Sequence, residues 1–235
     1  MFCNGNLIER VDSFKYLGIF FDSTLNFQSH FEHICSRVSS AVGCLLFIKR
    51  FLNVHTFKTL LNVFVLSIID YGLIIWGKIP ETKIKILQSK INNILGSYFY
   101  PQICNRFQKI NRIAHSCSHL NFTIPPINYF DLYEQCNILT VEERISYFYA
   151  IFSFKCIRYN HIPELHESFS QSARNQNIIL PQHKSDFFEK SPTYQSSLIR
   201  NWLPNEAKEL DVSLSGFKKT INKWLLNRRL DVSDS

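Results

Sequence analysis

Residues 14–77 read FKYLGIFFDSTLNFQSHFEHICSRVSSAVGCLLFIKRFLNVHTFKTLLNVFVLSIIDYGLIIWG, and this stretch decides the fold. Phe14, Tyr16, Ile19 and Phe21 supply the aromatic and β-branched content of a short strand, broken at Gly18 and halted at Asp22-Ser23. Phe31, Ile34, Cys35, Val38, Ala41, Val42, Leu45 and Leu46 then recur at three- and four-residue steps, the spacing of one apolar helical stripe. Asn26 is the expected N-cap of this helix, and Lys49-Arg50 suit the negative end of its dipole. Asn53 is the expected cap of a second helix, apolar on nearly every face over residues 60–76. Such a helix is buried in protein or in lipid rather than laid on a surface.

Working outward, residues 6–12 (NLIERVD) alternate weakly and are expected to pair with 14–21 as a β-hairpin across Asp12-Ser13. On the other side a third helix is expected over 81–95, with Ile84, Leu87, Ile91, Ile94 and Leu95 as its stripe and Gly96 just past its end. Residues 98–128 hold a mildly basic helical piece (Arg106, Lys109, Arg112) that Pro125-Pro126 terminates. After a helix near 129–138, Thr140-Val141-Glu142-Glu143 reads as a capping box that opens a helix to about residue 160. Ser, Gln, Asn and His dominate 163–198, which reads as a loop or linker with one short strand at 177–180. A last helix is expected over 214–227, with Phe217, Ile221, Trp224 and Leu225 inward and Lys218, Lys219, Lys223, Arg228 and Arg229 on a basic face. The architecture expected is therefore mainly α. It has a hairpin at 1–24, a three-helix bundle at 25–98, further helices at 99–162, a polar linker at 163–200 and a C-terminal helix at 201–235.

The 235 residues suffice to bury a core, and 46% hydrophobic content with 21 Phe and 10 Tyr excludes a disordered chain. A net charge of +7 fits a polyanionic partner, nucleic acid first and an anionic membrane surface second. Seven cysteines, odd in number and scattered, fit a reducing compartment better than a disulfide framework. The opening MFCNGNLIER lacks the apolar core of a signal peptide, so cytoplasm or nucleus is expected. The run 60–79 approaches membrane-spanning length but contains Asn62, Asp70 and Lys78. A mid-segment Asp costs about 3 kcal/mol on insertion, so a core helix and no membrane partner are expected.

Catalytic chemistry is missing from the pattern. Nucleotidyl transfer needs carboxylates that hold divalent metals. Asp70 lies within an apolar helix and Glu142-Glu143 begins one, so no catalytic residue is assigned. His115-x-Cys117-x-His119 with Cys104 matches no structural zinc spacing, and no metal site is assigned either. Neither a Gly-x-Ser-x-Gly elbow nor a phosphate-cradling glycine loop is present. Cys35 and Cys156 fall on apolar stripes and are expected to be buried and inert.

The ordered series Phe14-Lys15-Tyr16-Leu17-Gly18, Asp22, Leu25, Phe27, His30, then Asp70-Tyr71-Gly72 with Trp76-Gly77, resembles non-LTR (LINE-type, jockey-like) retrotransposon reverse transcriptases. The likeness is dense over 7–96 and thinner to about 230, where Gln88, Arg144 and Trp202-Leu203-Pro204 also fit it. The resemblance implies that the Tyr-Leu-Gly segment is a primer-grip hairpin and that the helices after it are a thumb holding a primer–template duplex. It implies a parent activity of RNA-templated DNA synthesis with magnesium, and fingers and palm upstream. With Met1 directly before the hairpin, a truncated or degenerate copy without its palm domain is expected. The family's Tyr/Phe-x-Asp-Asp turn is absent, so no synthesis and no cofactor are expected of this chain.

The nucleic-acid-binding residues implied are Lys15, Tyr16 and Gly18 on the hairpin, His33 and Arg37 on the first helix, and Lys83 and Lys90 on the third. Ser36 and Ser40 are short enough to let a duplex backbone approach, with Arg37 free to reach a phosphate. Each patch has a plainer alternative, a solvated face, and the hairpin has its own, simple packing on the helices. Two rival functions stay open. One is a helical scaffold whose apolar patches dock on a missing partner; the other is a membrane-associated protein using 60–79.

Overall fold

A computed structural model of the chain describes residues 2–3, 6–7, 11–100, 128–170, 172, 177–180, 186–208 and 211–233. The chain is mainly α, with short antiparallel strands at its N-terminal end. Strands β1 (Phe2–Cys3) and β2 (Asn6–Leu7) pair with each other, as do β3 (Ser13–Tyr16) and β4 (Ile19–Asp22).

The second hairpin corrects the expected one. Residues 14–21 do not form one strand paired with 6–12; they fold back on themselves, with Phe14 opposite Phe21 and Tyr16 opposite Ile19. Leu17 (φ 46°) and Gly18 (φ 82°) make the turn. Two successive positive φ values are what a two-residue hairpin loop requires, and Gly18 supplies one without steric cost.

The carboxylate of Asp22 then organises the descent into helix. It accepts from the backbone N–H groups of Thr24, Asn26 and Gln28 and from the Thr24 hydroxyl. Helix α1 (Gln28–Ile48) therefore starts from Phe27 without a side-chain cap of its own. Asn26, expected to be that cap, donates to Thr24 instead. Asp22 has taken its task from six residues away.

A 3₁₀ turn (Lys49–Phe51) leads to α2 (Val54–Leu60), where the Asn53 side chain accepts from the Thr56 N–H at 2.8 Å, the expected cap. The chain continues through a π-helical segment (Leu61–Leu66) into α3 (Ser67–Asp70), leaves the helix at Tyr71-Gly72, and resumes in α4 (Leu73–Trp76). The apolar run is thus interrupted, and no continuous helix covers 60–79. Among the described residues, one helix, Gln28–Phe51, is long and apolar enough to cross a membrane by length and composition alone.

Helix α5 (Glu81–Phe99) passes through Gly96 rather than stopping before it. The last turn is held by packing, for Tyr98 stacks on Phe57 with ring centroids 3.8 Å apart and Phe99 meets the same ring edge-on. Helix α6 (Tyr129–Cys136) precedes α7 (Val141–Tyr159), whose reciprocal Thr140–Glu143 capping box matches the expectation. Short helices α8 (Pro163–His166) and α9 (Asp186–Glu189) follow.

Within the expected linker lies α10 (Pro192–Trp202), packed along α7. Its buried face is Thr193, Gln195, Ser196, Ser197 and Arg200, so no apolar periodicity announces it. Pro192 sits at the first helical position, where a missing N–H costs nothing, and Ser191 caps the helix by accepting from Tyr194 N–H. Helices α11 (Asn205–Lys208) and α12 (Leu214–Ser233) complete the chain.

One core joins Ile19, α1 to α6 and Val141; a second joins Ala150 and Phe154 of α7 to Leu203, Phe217, Ile221 and Leu225. Helix α7 belongs to both. The basic piece around Arg106, Lys109 and Arg112, and the Cys104, His115, Cys117 and His119 set, lie outside the described residues.

Candidate functional site

Asp70, Tyr71 and Gly72 are consecutive, and each holds a different part of the molecule. Asp70 receives the Arg144 guanidinium on both carboxylate oxygens. The Tyr71 hydroxyl donates to the Leu17 carbonyl at the hairpin tip, and the Trp76 indole donates back to the Tyr71 carbonyl at 2.9 Å. Gly72 (φ 63°) lies so close to Ile19 that an added Cβ would stand 2.5 Å from its Cδ1. The hairpin is thereby clamped against the α3–α4 junction and the N-terminal half of α1.

Between them lies a cavity of about 220 Å³. Exposed Lys15 and Arg37 and half-buried His33 stand at its mouth. Gly18 and Tyr71 wall it; buried His30 and Ile34, with half-buried Ile68, form the inner lining. Among the described residues, no carboxylate lines it. Arg37 makes no ion pair or hydrogen bond among the described residues, and Lys15 is placed over the Phe20 ring, 5.1 Å from its centroid.

His30 is the most unusual member. It is 0% exposed, packed edge-on to Trp76 at 5.4 Å and tilted against Phe20, and neither ring nitrogen has a hydrogen-bond partner among the described residues. Burial, with His33 adding to it, pushes its pKa down to about 4. The ring is therefore neutral at pH 7, with one donor and one acceptor to offer.

Of the residues assigned from sequence, Lys15, Gly18, His33 and Arg37 come together around this cavity. Tyr16 does not line it, since successive strand residues face opposite ways. Lys83 and Lys90 are also elsewhere. Lys83 Nζ donates to the Asn26 carbonyl at 3.4 Å and lies over Phe31, and Lys90 Nζ donates to Ser39 Oγ at 2.7 Å. At 100° per residue, Phe31 and Ser39 fall on a different face of α1 from His30, His33 and Arg37. These lysines join α5 to α1.

Sequence reasoning missed His30, Ile34, Ile68 and Tyr71 as lining residues. The signal for His30 was its place on one helical face with His33, Ile34 and Arg37. Lys218, Lys219, Lys223 and Arg228 of α12 are exposed, and the Arg228 guanidinium stacks 3.8 Å above Trp202. Cys35 is half-buried rather than fully buried, whereas Cys156 is buried; burial raises the pKa of both. Among the described residues, no group of three or more His, Cys, Asp or Glu is placed to hold a metal ion.

No family model matches the chain, and no solved structure matches it. An uncharacterized protein of Caenorhabditis elegans is 35% identical over 72 residues, which are 31% of this chain and 36% of that protein. The chain thus spans about a third of the length of this curated relative.

Proposed function

We propose that this chain corresponds to the thumb and C-terminal part of a non-LTR retrotransposon reverse transcriptase and binds paired primer–template nucleic acid without catalysing synthesis. The observation that carries the reading is the convergence of Lys15, His33 and Arg37, with no carboxylate among them, beside a hairpin tip clamped by Tyr71. Lys15 and Arg37, cations brought from two elements to one mouth, suit a phosphate backbone better than the dispersed charges of an ordinary solvated face. Exposed Ser36 and Ser40 continue that face of α1 with short side chains, leaving room for a duplex.

Among the described residues, no cluster of acids is placed to hold the magnesium of the parent enzyme. Asp70 is committed to Arg144, Asp22 to backbone N–H groups, and Glu143 to its capping box. A palm domain is the protein partner this reading implies. The free thiols of Cys35, Cys44, Cys136 and Cys156 support a cytoplasmic or nuclear setting.

Titration of a labelled RNA–DNA hybrid against salt tests the proposal. Affinity is expected to fall linearly in log–log form, and absence of binding at about 50 mM salt rejects the reading. A second reading, a helical scaffold without a nucleic-acid role, is favoured by Phe14, Tyr16 and Leu17 standing 59%, 59% and 72% exposed on the hairpin. Salt-insensitive or absent hybrid binding favours it.

A further inference from the structure

We propose that the outer edge of β3 takes up an extended acidic peptide as a third strand of the hairpin. This surface goes beyond the function proposed above, because it is built from backbone groups that a bound duplex does not use.

The register fixes which backbone groups are free. In a hairpin closed by a two-residue loop, Tyr16 exchanges hydrogen bonds with Ile19, and Phe14 with Phe21. One step further on, the Ser23 N–H donates to the Asp12 carbonyl at 3.0 Å. The N–H and C=O groups of Ser13 and Lys15 alternate with these and point away from β4. They have no hydrogen-bond partner among the described residues, and residues 11–17 are all exposed. Such a row of unpaired groups is a template for another strand, and a third strand steadies a hairpin that two hold only marginally.

The side chains select the occupant. Phe14 and Tyr16 share a face with Phe21 and Ile19, but Ile19 enters the core whereas Phe14 and Tyr16 overhang it, exposed. Apolar side chains at alternate positions of an added strand would cover them. Lys15 lies on the opposite face and borders the cavity mouth with Arg37. Asp22 shares that face, but its carboxylate is committed to the N–H groups of Thr24, Asn26 and Gln28. Acidic residues at the intervening positions would therefore meet cations whose charge no carboxylate answers. A second copy of this chain would bring its own Lys15 to the same face of the new seam, and like charges across strands repel. An acidic strand turns that repulsion into attraction, and its backbone takes the free edge as in other cases of strand addition.

Fluorescence anisotropy of a labelled peptide of alternating valine and glutamate, titrated with the full chain, tests the proposal. It is expected to bind about tenfold or more tightly than a peptide with lysine in place of glutamate. The glutamate residues are the ones that lie opposite Ser13 and Lys15, so N-methylation of their amides is expected to weaken binding about tenfold or more. N-Methylation of the valine amides, which face away, is expected to leave it unchanged. Lys15→Glu, at an exposed position, is expected to reverse the preference between the glutamate and lysine peptides.

Equal binding of the two N-methylated peptides, or a glutamate preference that survives Lys15→Glu, overturns the proposal. If no peptide binds and light scattering shows a dimer of the chain that Lys15→Glu abolishes, the edge belongs to a second copy and the proposal falls. If no peptide binds while an RNA–DNA hybrid does, Lys15 serves phosphate alone and the proposal again falls, with the function proposed above left standing.

Discussion

Arg144 grips Asp70 with two parallel hydrogen bonds, from Nε at 2.7 Å and from Nη2, across 74 residues of sequence. The pair ties the end of α3 to the first turn of α7, with 13% of the Arg and 23% of the Asp side chain exposed. An acid inside an apolar run is thus an anchor between segments. Removing one partner strands a largely desolvated charge, so Arg144→Ala is expected to lower unfolding free energy by about 3 kcal/mol. A double-mutant cycle with Asp70→Asn, read by denaturant midpoints, is expected to show strong coupling. Additive losses would mean that the pair contributes nothing jointly.

Gly72→Ala tests the clamp on the hairpin. The new methyl group meets Ile19 Cδ1 at 2.5 Å and the backbone is held at φ 63°. A loss of about 1–3 kcal/mol is expected, together with faster amide exchange in β3 and β4. Tyr71→Phe removes only the donor to the Leu17 carbonyl and is expected to cost about 1 kcal/mol. Unchanged exchange in both variants would show that the hairpin stands without the clamp.

His30 makes stability depend on pH below neutrality. Its pKa is lowered from 6.5 to about 4 on folding, so between those values the unfolded chain binds the extra proton. Stability therefore rises with pH through that window, is complete above about 6.5, and the full effect is worth about 3 kcal/mol at most. Asp22 adds a second loss at lower pH. Burial raises its pKa, but the hydrogen bonds from Thr24, Asn26 and Gln28 outweigh burial and leave it below 3.8. Its contribution is present above that value and lost as the pH falls through the folded pKa. Melting curves of the parent chain and His30→Phe check this; the variant is expected to be flat between about pH 4 and 6.5.

The two groups of basic residues are expected to separate functionally. Lys15→Ala with Arg37→Ala is expected to reduce the slope of log affinity against log salt for an RNA–DNA hybrid by about 2. Lys83→Ala with Lys90→Ala is expected to leave that slope nearly unchanged, because both lysines already donate to Asn26 and Ser39. Equal effects would place the duplex across both faces of α1.

Much of the helical plan was legible because its signals are local. The stripes of α1, α5 and α7, the Asn53 cap and the Thr140–Glu143 box each depend on residues within a few positions of one another. Helix α10 was not, since its buried face is serine, threonine, glutamine and arginine whose hydroxyls are satisfied within the helix, as Ser197 Oγ is by the Thr193 carbonyl at 2.9 Å. Asp22 displaced Asn26 as the cap because Leu25 and Phe27, both at positive φ, turn the chain back across its carboxylate. That bend leaves no trace in composition.

Residue spacing alone determined that this chain is mainly helical, whereas Lys15, Gly18, His33 and Arg37 were singled out through the resemblance to a family. Only the tertiary structure decided that these four share one cavity with His30 while Lys83 and Lys90 turn to α1. The reason is physical. Periodicity records which face of an element is apolar, whereas the partner of a charge or of an imidazole is set by contacts such as Tyr71 with Leu17, 54 residues apart.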